Sequence, residues 1–147
     1  MNIADLDFMK AAREAATASH CMHSNARVGV VAVRDGQIIA SAANQTVGNI
    51  QPCTTAGRCL RQDLNIPSGT KREVAHCICA EQRMICNAAR DGIALDGAEV
   101  YVTTLPCKLC VRLLTACGIT RVVYDKSYPG ESLELATATG LKLVPLK

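Results

Sequence analysis

The chain has 147 residues, 49% of them hydrophobic and 20% charged, which suits one domain, spanning 1–147, with a single buried core. Its net charge of +3 comes from scattered Lys and Arg, and it has three Tyr, one Phe and no Trp; with neither the electrostatic footprint nor the stacking platforms of a nucleic-acid binder, it is expected to take a small ligand and no nucleic acid. No apolar run reaches the roughly 18–20 residues of a membrane span, and the N-terminus lacks the basic start, apolar block and cleavage site of a secretory signal, so no membrane partner is expected and the cytoplasm is the default location.

Phe8, Met9, Ala12, Ala15 and Ala16 recur at helical spacing, predicting an amphipathic helix over 5–18 with Asp5 as N-cap. "VGVVAV" and "QIIASA", separated by Arg34, Asp35 and Gly36, read as a β-hairpin. Residues 44–72 are punctuated by Gly, Pro, Thr, Asn and Gln and are expected to be irregular, with "LNIPSGT" a tight loop. From about residue 79, Ala80, Met84, Ile85, Ala88 and Ala89 mark a helix ending at Gly92. "AEVYVTT" reads as a buried strand, and Pro106 opens a helix over 107–117 with Leu113, Leu114 and Cys117 facing the core. "RVVY" is a further strand, 131–139 a further helix and "LKLV" a last short strand. This alternation predicts an α/β layered domain with a partly parallel sheet.

Nine cysteines, an odd number, cannot form a complete disulfide framework, and reduced thiols point to metal binding. In "HCICAEQ" and "PCKLC", Cys79, Cys107 and Cys110 all fall at helix starts, where the helix dipole favours thiolates; Cys107 and Cys110 share one helical face. Three ligands leave one position of a zinc open for water, and Glu81 is placed to exchange a proton with it. Zinc deaminases carry this arrangement: a His or Cys, a non-ligand Glu two residues on, then Pro-Cys-x-x-Cys. A closed zinc site and buried apolar thiols are the alternatives. Cys86 and Cys117 fall on apolar helix faces and are expected in the core.

Beyond these motifs, "DFMKAAREAA", "VGVVAVRDGQIIASAAN", "GRCLRQDLNIPSG", "DGAEVYVTTLPCKLC", "GITRVVY" and "YPG" together resemble the cytidine and deoxycytidylate deaminase superfamily, closest to bacterial dCMP deaminases of the ComE type. The resemblance covers nearly the whole chain. It implies a three-layer cytidine-deaminase-like fold, a mixed central sheet of about five strands with helices on both faces. It also implies zinc-dependent hydrolysis of dCMP to dUMP, with Glu81 as proton shuttle and Asn44 as a contact to the sugar or base, and a homo-oligomer; the Ala80 backbone at the helix start is a further candidate substrate contact, and Tyr128 either stacks on the base or packs within the fold. Another small amine-bearing ring (a free nucleoside, a modified pyrimidine or a pterin-like compound) and a non-catalytic zinc module of DNA uptake are the other readings.

Three departures from the family pattern stand out. Cys79-Ala80-Glu81 replaces the usual His-Ala-Glu, so the zinc shell is three thiolates and carries a net negative charge; Arg83 and Lys108 are candidate compensating cations. Ala43-Asn44-Gln45 replaces Tyr-Asn-Gly. The structural zinc of relatives matches Cys21, Cys53 and Cys59, but Ala75 stands where the fourth cysteine belongs; His76 is the expected substitute, with His23 or Cys77 as alternatives.

Overall fold

The computed structural model describes residues 2–128 and 132–147. Pro129, Gly130 and Glu131, which belong to the "YPG" phrase and to the start of the helix expected at 131, lie outside the described residues.

Helix α1 spans Ile3–Ala15, and its first turn is closed by Asn2, whose side chain accepts from the Ala4 N–H at 3.1 Å. Asp5 is therefore not the cap. It is buried in the first turn, where it accepts from Arg121 at 2.8 Å and from the Tyr101 hydroxyl at 2.8 Å. After Ala15 the chain tightens into a 3-10 turn over Ala16–Ala18, which completes the helix expected to run to residue 18.

Strands β1 (Gly29–Arg34) and β2 (Gln37–Ala43) form the expected hairpin. Asp35 and Gly36 adopt φ of 52° and 75°, the paired positive angles of a turn whose twist matches the flanking strands. The segment over 44–72 is less irregular than its composition implies. It holds strand β3 (Gln45–Thr46) and two single-turn helices, α2 (Cys53–Ala56) and α3 (Leu60–Asp63), before β4 (Cys77–Ile78), which pairs with β3. Helix α4 (Ala80–Asp91) ends at Gly92, with φ of 70°. Strand β5 (Glu99–Thr104), helix α5 (Lys108–Ala116), strand β6 (Arg121–Lys126), helix α6 (Ser132–Thr139) and strand β7 (Lys142–Pro145) follow.

The main sheet has five strands in the order β2-β1-β5-β6-β7, antiparallel on the hairpin side and parallel from β5 to β7. Its central strands are apolar at successive positions because both faces are covered. Val31, Val33, Tyr101 and Val123 pack with Met9 and Ala12 of α1, whereas Val30, Val100, Val102 and Val122 pack with Ala80, Met84 and Ala88 of α4 and Val111 and Leu114 of α5. This is the expected three-layer arrangement. Alpha1 presses so closely on β1 that a Cβ at Gly29 would strike the Ala12 carbonyl and the Ala16 amide.

Two side-chain expectations are corrected. Cys86 is exposed, because Ala80, Met84 and Ala88 recur every four residues and Cys86, two past Met84, falls on the opposite side of α4. On α5 the core takes Cys110, Val111 and Leu114, so Leu113 turns outward, while Cys117 packs against the core as expected. Among the described residues no helix is long and apolar enough to cross a membrane.

Candidate metal centre and its cleft

The C-terminal end of β5 runs through Leu105 and Pro106 into Cys107, the N-cap of α5, and β4 runs directly into Cys79, the N-cap of α4. The Cys79 N–H is taken by Gln82 Oε1 at 2.8 Å, which fixes the entry into α4. Cys110, in the first turn of α5, is fully buried. The ligand atoms of Cys79, Cys107 and Cys110 all lie within 4.8 Å of one another.

These sulfurs constrain one another's charge. Hydrogen bonds from Cys110 and then Cys79 hold Cys107 far below the usual thiol range, and donating those bonds pushes Cys79 and Cys110 upward. Three thiolates cannot share so small a space without a counter-cation. A soft, closely spaced donor set of this kind fits zinc. Glu81, in the first turn of α4, is 4% exposed, and burial pushes its carboxyl up to about 7, with the charge at Cys107 adding to the effect. A carboxyl poised near neutrality beside three sulfurs is equipped to pass protons in both directions.

A cleft of about 470 Å³ opens onto this group and is also lined by Asn44, Ala80, Glu81 and Tyr128. Asn44 is largely committed to the framework: its Oδ1 accepts from the Val28 N–H at 3.0 Å and its Nδ2 donates to the Ala26 carbonyl at 2.9 Å. Ala80 is the first residue of α4 and is buried against the core. The Arg72 guanidinium carbon lies 5.5 Å from the centroid of the Tyr128 ring, and the Tyr128 hydroxyl accepts from Arg72 Nη1 at 2.6 Å.

Arg72 was not legible as a site residue. It sits in a 3-10 turn that the irregular segment folds back over the cleft, and its Nη2 donates to Cys79 Sγ at 3.1 Å. Of the two cations expected from sequence, Arg83 has a buried Nε with no hydrogen-bond partner, and Lys108 opens α5 at the rim of an adjoining basin of about 590 Å³ together with Lys71, Arg72 and Arg112.

The loop thiols form a second group. Burial, then the neighbouring Cys53, pushes Cys77 up to about 12, with Cys21 and Cys59 contributing. Burial likewise raises Cys21, against the opposing hydrogen bond from the His23 backbone and with Cys59 and Cys53 adding to the rise. Cys77 therefore lies close enough to Cys53, Cys21 and Cys59 to feel their charge, while His76 beside it is exposed. His23 lines the same cleft with a buried, unpartnered Nε2. His20 is occupied, its Nδ1 accepting from the Thr46 N–H at 3.2 Å.

Residues 3–126 match the family model of the cytidine and deoxycytidylate deaminase zinc-binding region. The chain is 36% identical over 126 residues to deoxycytidylate deaminase of Saccharomyces cerevisiae, covering 84% of this chain but only 38% of the yeast protein. It is 32% identical over 119 residues to deoxycytidylate deaminase of Mycobacterium phage D29, covering 81% of this chain and 91% of the phage protein. The crystal structure of dCMP deaminase from the cyanophage S-TIM5, in complex with dCMP and dUMP, superposes with a TM-score of 0.77 at 20% identity, covering 99% of both chains. Together with a three-sulfur centre at two helix starts, these similarities place the chain in the cytidine and deoxycytidylate deaminase family.

Proposed function

We propose that residues 1–147 form one zinc-dependent deaminase domain that converts dCMP to dUMP by hydrolysis. The observation that carries this reading is a buried carboxyl, Glu81, which lines an open cleft with Cys79 and Cys107, with Cys110 buried behind them. The names of the yeast and phage relatives support dCMP as the first substrate to test.

Cys79, Cys107 and Cys110 would hold the zinc, which when bound supplies a Lewis acid and a water that ionises near neutral pH. Glu81 accepts a proton from the attacking water and delivers it to N3 of the cytosine ring. The C4–N bond then breaks, the amine leaves as ammonia with a second proton passed through Glu81, and C4 keeps the water oxygen as the uracil carbonyl. Asn44 has one amide hydrogen beyond the one given to Ala26, and that hydrogen is assigned to the sugar or base. The Tyr128 ring, which lines the cleft, is assigned to the base, and the Ala80 backbone to the rim of the reacting centre.

A second, structural zinc held by Cys21, Cys53, Cys59 and Cys77 is part of this reading, with Cys77 in the place first given to His76. So is a homo-oligomer, to which the exposed Leu109 and Leu113 of α5 and Leu133 of α6 offer apolar surface. A cytoplasmic setting fits, because its reducing poise keeps such thiols free.

Ammonia release from dCMP, cytidine, deoxycytidine and guanine tests the reaction. Turnover of dCMP alone or foremost is expected. A preference for another ring moves the substrate assignment, and no release from any of them leaves a non-catalytic zinc module.

A further inference from the structure

On the basis of the zinc reading above, we propose that Arg72 is a positioning residue that balances the charge of the three-thiolate shell and thereby sets how firmly the centre retains its metal. Three thiolates around a divalent cation leave one net negative charge in a buried place, and nothing within the ligand set neutralises it. Arg72 meets that need by direct contact, with Nη2 donating to Cys79 Sγ at 3.1 Å. A hydrogen bond from a cation draws charge off a ligand sulfur, so Cys79 becomes a less electron-rich donor, closer to the histidine it replaces.

The guanidinium is held for this task from several sides. Nη1 donates to the Tyr128 hydroxyl at 2.6 Å, with the guanidinium carbon 5.5 Å from the ring centroid. The loop that delivers Arg72 is braced in turn by Arg61, whose Nη1 donates to the Lys71 carbonyl and Nη2 to the Pro67 carbonyl, each at 2.8 Å. Lys71 itself takes a left-handed conformation, φ 44°, which turns the chain so that the next residue faces the sulfurs. A planar, doubly anchored guanidinium keeps its direction where a flexible ammonium would not. The segment rich in Gly, Pro and Asn therefore has a role that its composition conceals: it carries a cation to the metal centre.

The test is zinc retention under graded chelator at one fixed pH, with Cys79→Ala as the blank that defines this centre's share of the metal. Arg72→Met is expected to weaken retention by about 10–100-fold, the usual cost of losing a partner that hydrogen-bonds a metal ligand. Arg72→Lys keeps the charge and is expected to stay closer to wild type than to Arg72→Met. With cobalt in place of zinc, Arg72→Met should move the thiolate-to-metal charge-transfer band to lower energy, because an unbonded sulfur gives up its electrons more easily. Wild-type retention with an unmoved cobalt band in Arg72→Met overturns the proposal, as does Arg72→Lys losing metal as readily as Arg72→Met. If wild type and Cys79→Ala bind the same zinc, the reading of the centre itself fails instead.

Discussion

Cys77 and Cys79 stand two residues apart yet meet different thiols: Cys77 is hydrogen-bonded with Cys53 and feels the charge of Cys21 and Cys59, while Cys79 closes on Cys107 and Cys110. Only Ile78 separates them. The short strand β4 thus ties the braced loop to the three-sulfur centre.

If the loop group holds a structural ion, the purified chain should contain about two zinc ions, one of them resistant to mild chelation because a closed shell offers no open position. Cys53→Ser should remove about one zinc and lower the melting temperature, since metal binding there contributes directly to folding. Elemental analysis alongside thermal melts checks both. One zinc in the wild type with an unchanged melt for Cys53→Ser would leave the loop held by packing alone.

Glu81→Gln preserves the size of the side chain and its place in the first turn of α4 but cannot carry the proton. Turnover of dCMP should fall by about 10²–10⁴-fold while the zinc content stays at the wild-type level. Loss of metal in Glu81→Gln to the same degree as in Cys107→Ala would make Glu81 a ligand and end its role as shuttle.

Away from the cleft, Arg121 donates to Asp5 at 2.8 Å and to Glu99 at 2.7 Å, joining β6 to α1 and β5. The hydrogen bond from Arg121 holds the Asp5 carboxyl below its ordinary value, with burial opposing and Tyr101 reinforcing the shift. A carboxyl lowered in the folded state stabilises the fold above its unfolded pKa, and that contribution is lost as pH falls through the folded value. Asp5→Asn should therefore cost about 1–3 kcal/mol at pH 7 and less at pH 3, below the ordinary carboxyl value, where the wild type has begun to lose the same interaction. Urea unfolding of both proteins at the two pH values measures this, and equal stability at pH 7 would count against the network.

Gly29→Ala tests the closeness of α1 to the sheet. The added methyl would meet the Ala12 carbonyl and the Ala16 amide, both backbone, so α1 has to shift as a unit. A loss of about 1–3 kcal/mol is expected, read from the urea midpoint. A neutral result would show that α1 slides freely over β1.

Much of the fold was open to reading from local chemistry. The Asp35-Gly36 turn, the Gly92 stop and the apolar strands each follow from constraints carried by a few adjacent residues, and all three are present. Helix faces were harder: Cys86 and Leu113 look apolar in sequence, but Ala80, Met84 and Ala88 take the core side of α4 and Cys110, Val111 and Leu114 that of α5, which leaves both outward.

The metal group divides in the same way. Cys79, Cys107, Cys110 and Glu81 were recognisable because helix starts and i, i+3 spacing bring their chemistry together within short stretches. The partners that depend on long-range folding were not. Asp5 reads as a cap until Arg121, far along the chain, claims it. Cys77 lies near Cys53 while His76 beside it is exposed, and the pairing of β3 with β4 fixes where Cys77 sits. Arg72 reaches Cys79 because a loop folds back under the hold of Arg61, whereas Arg83, closer to the zinc motif in sequence, does not supply that contact. Sequence spacing determined which groups could bind metal, since neighbours on one turn share a face. Which cation meets them was decided by tertiary structure, because a charge is felt across a few ångströms of space and not along the chain.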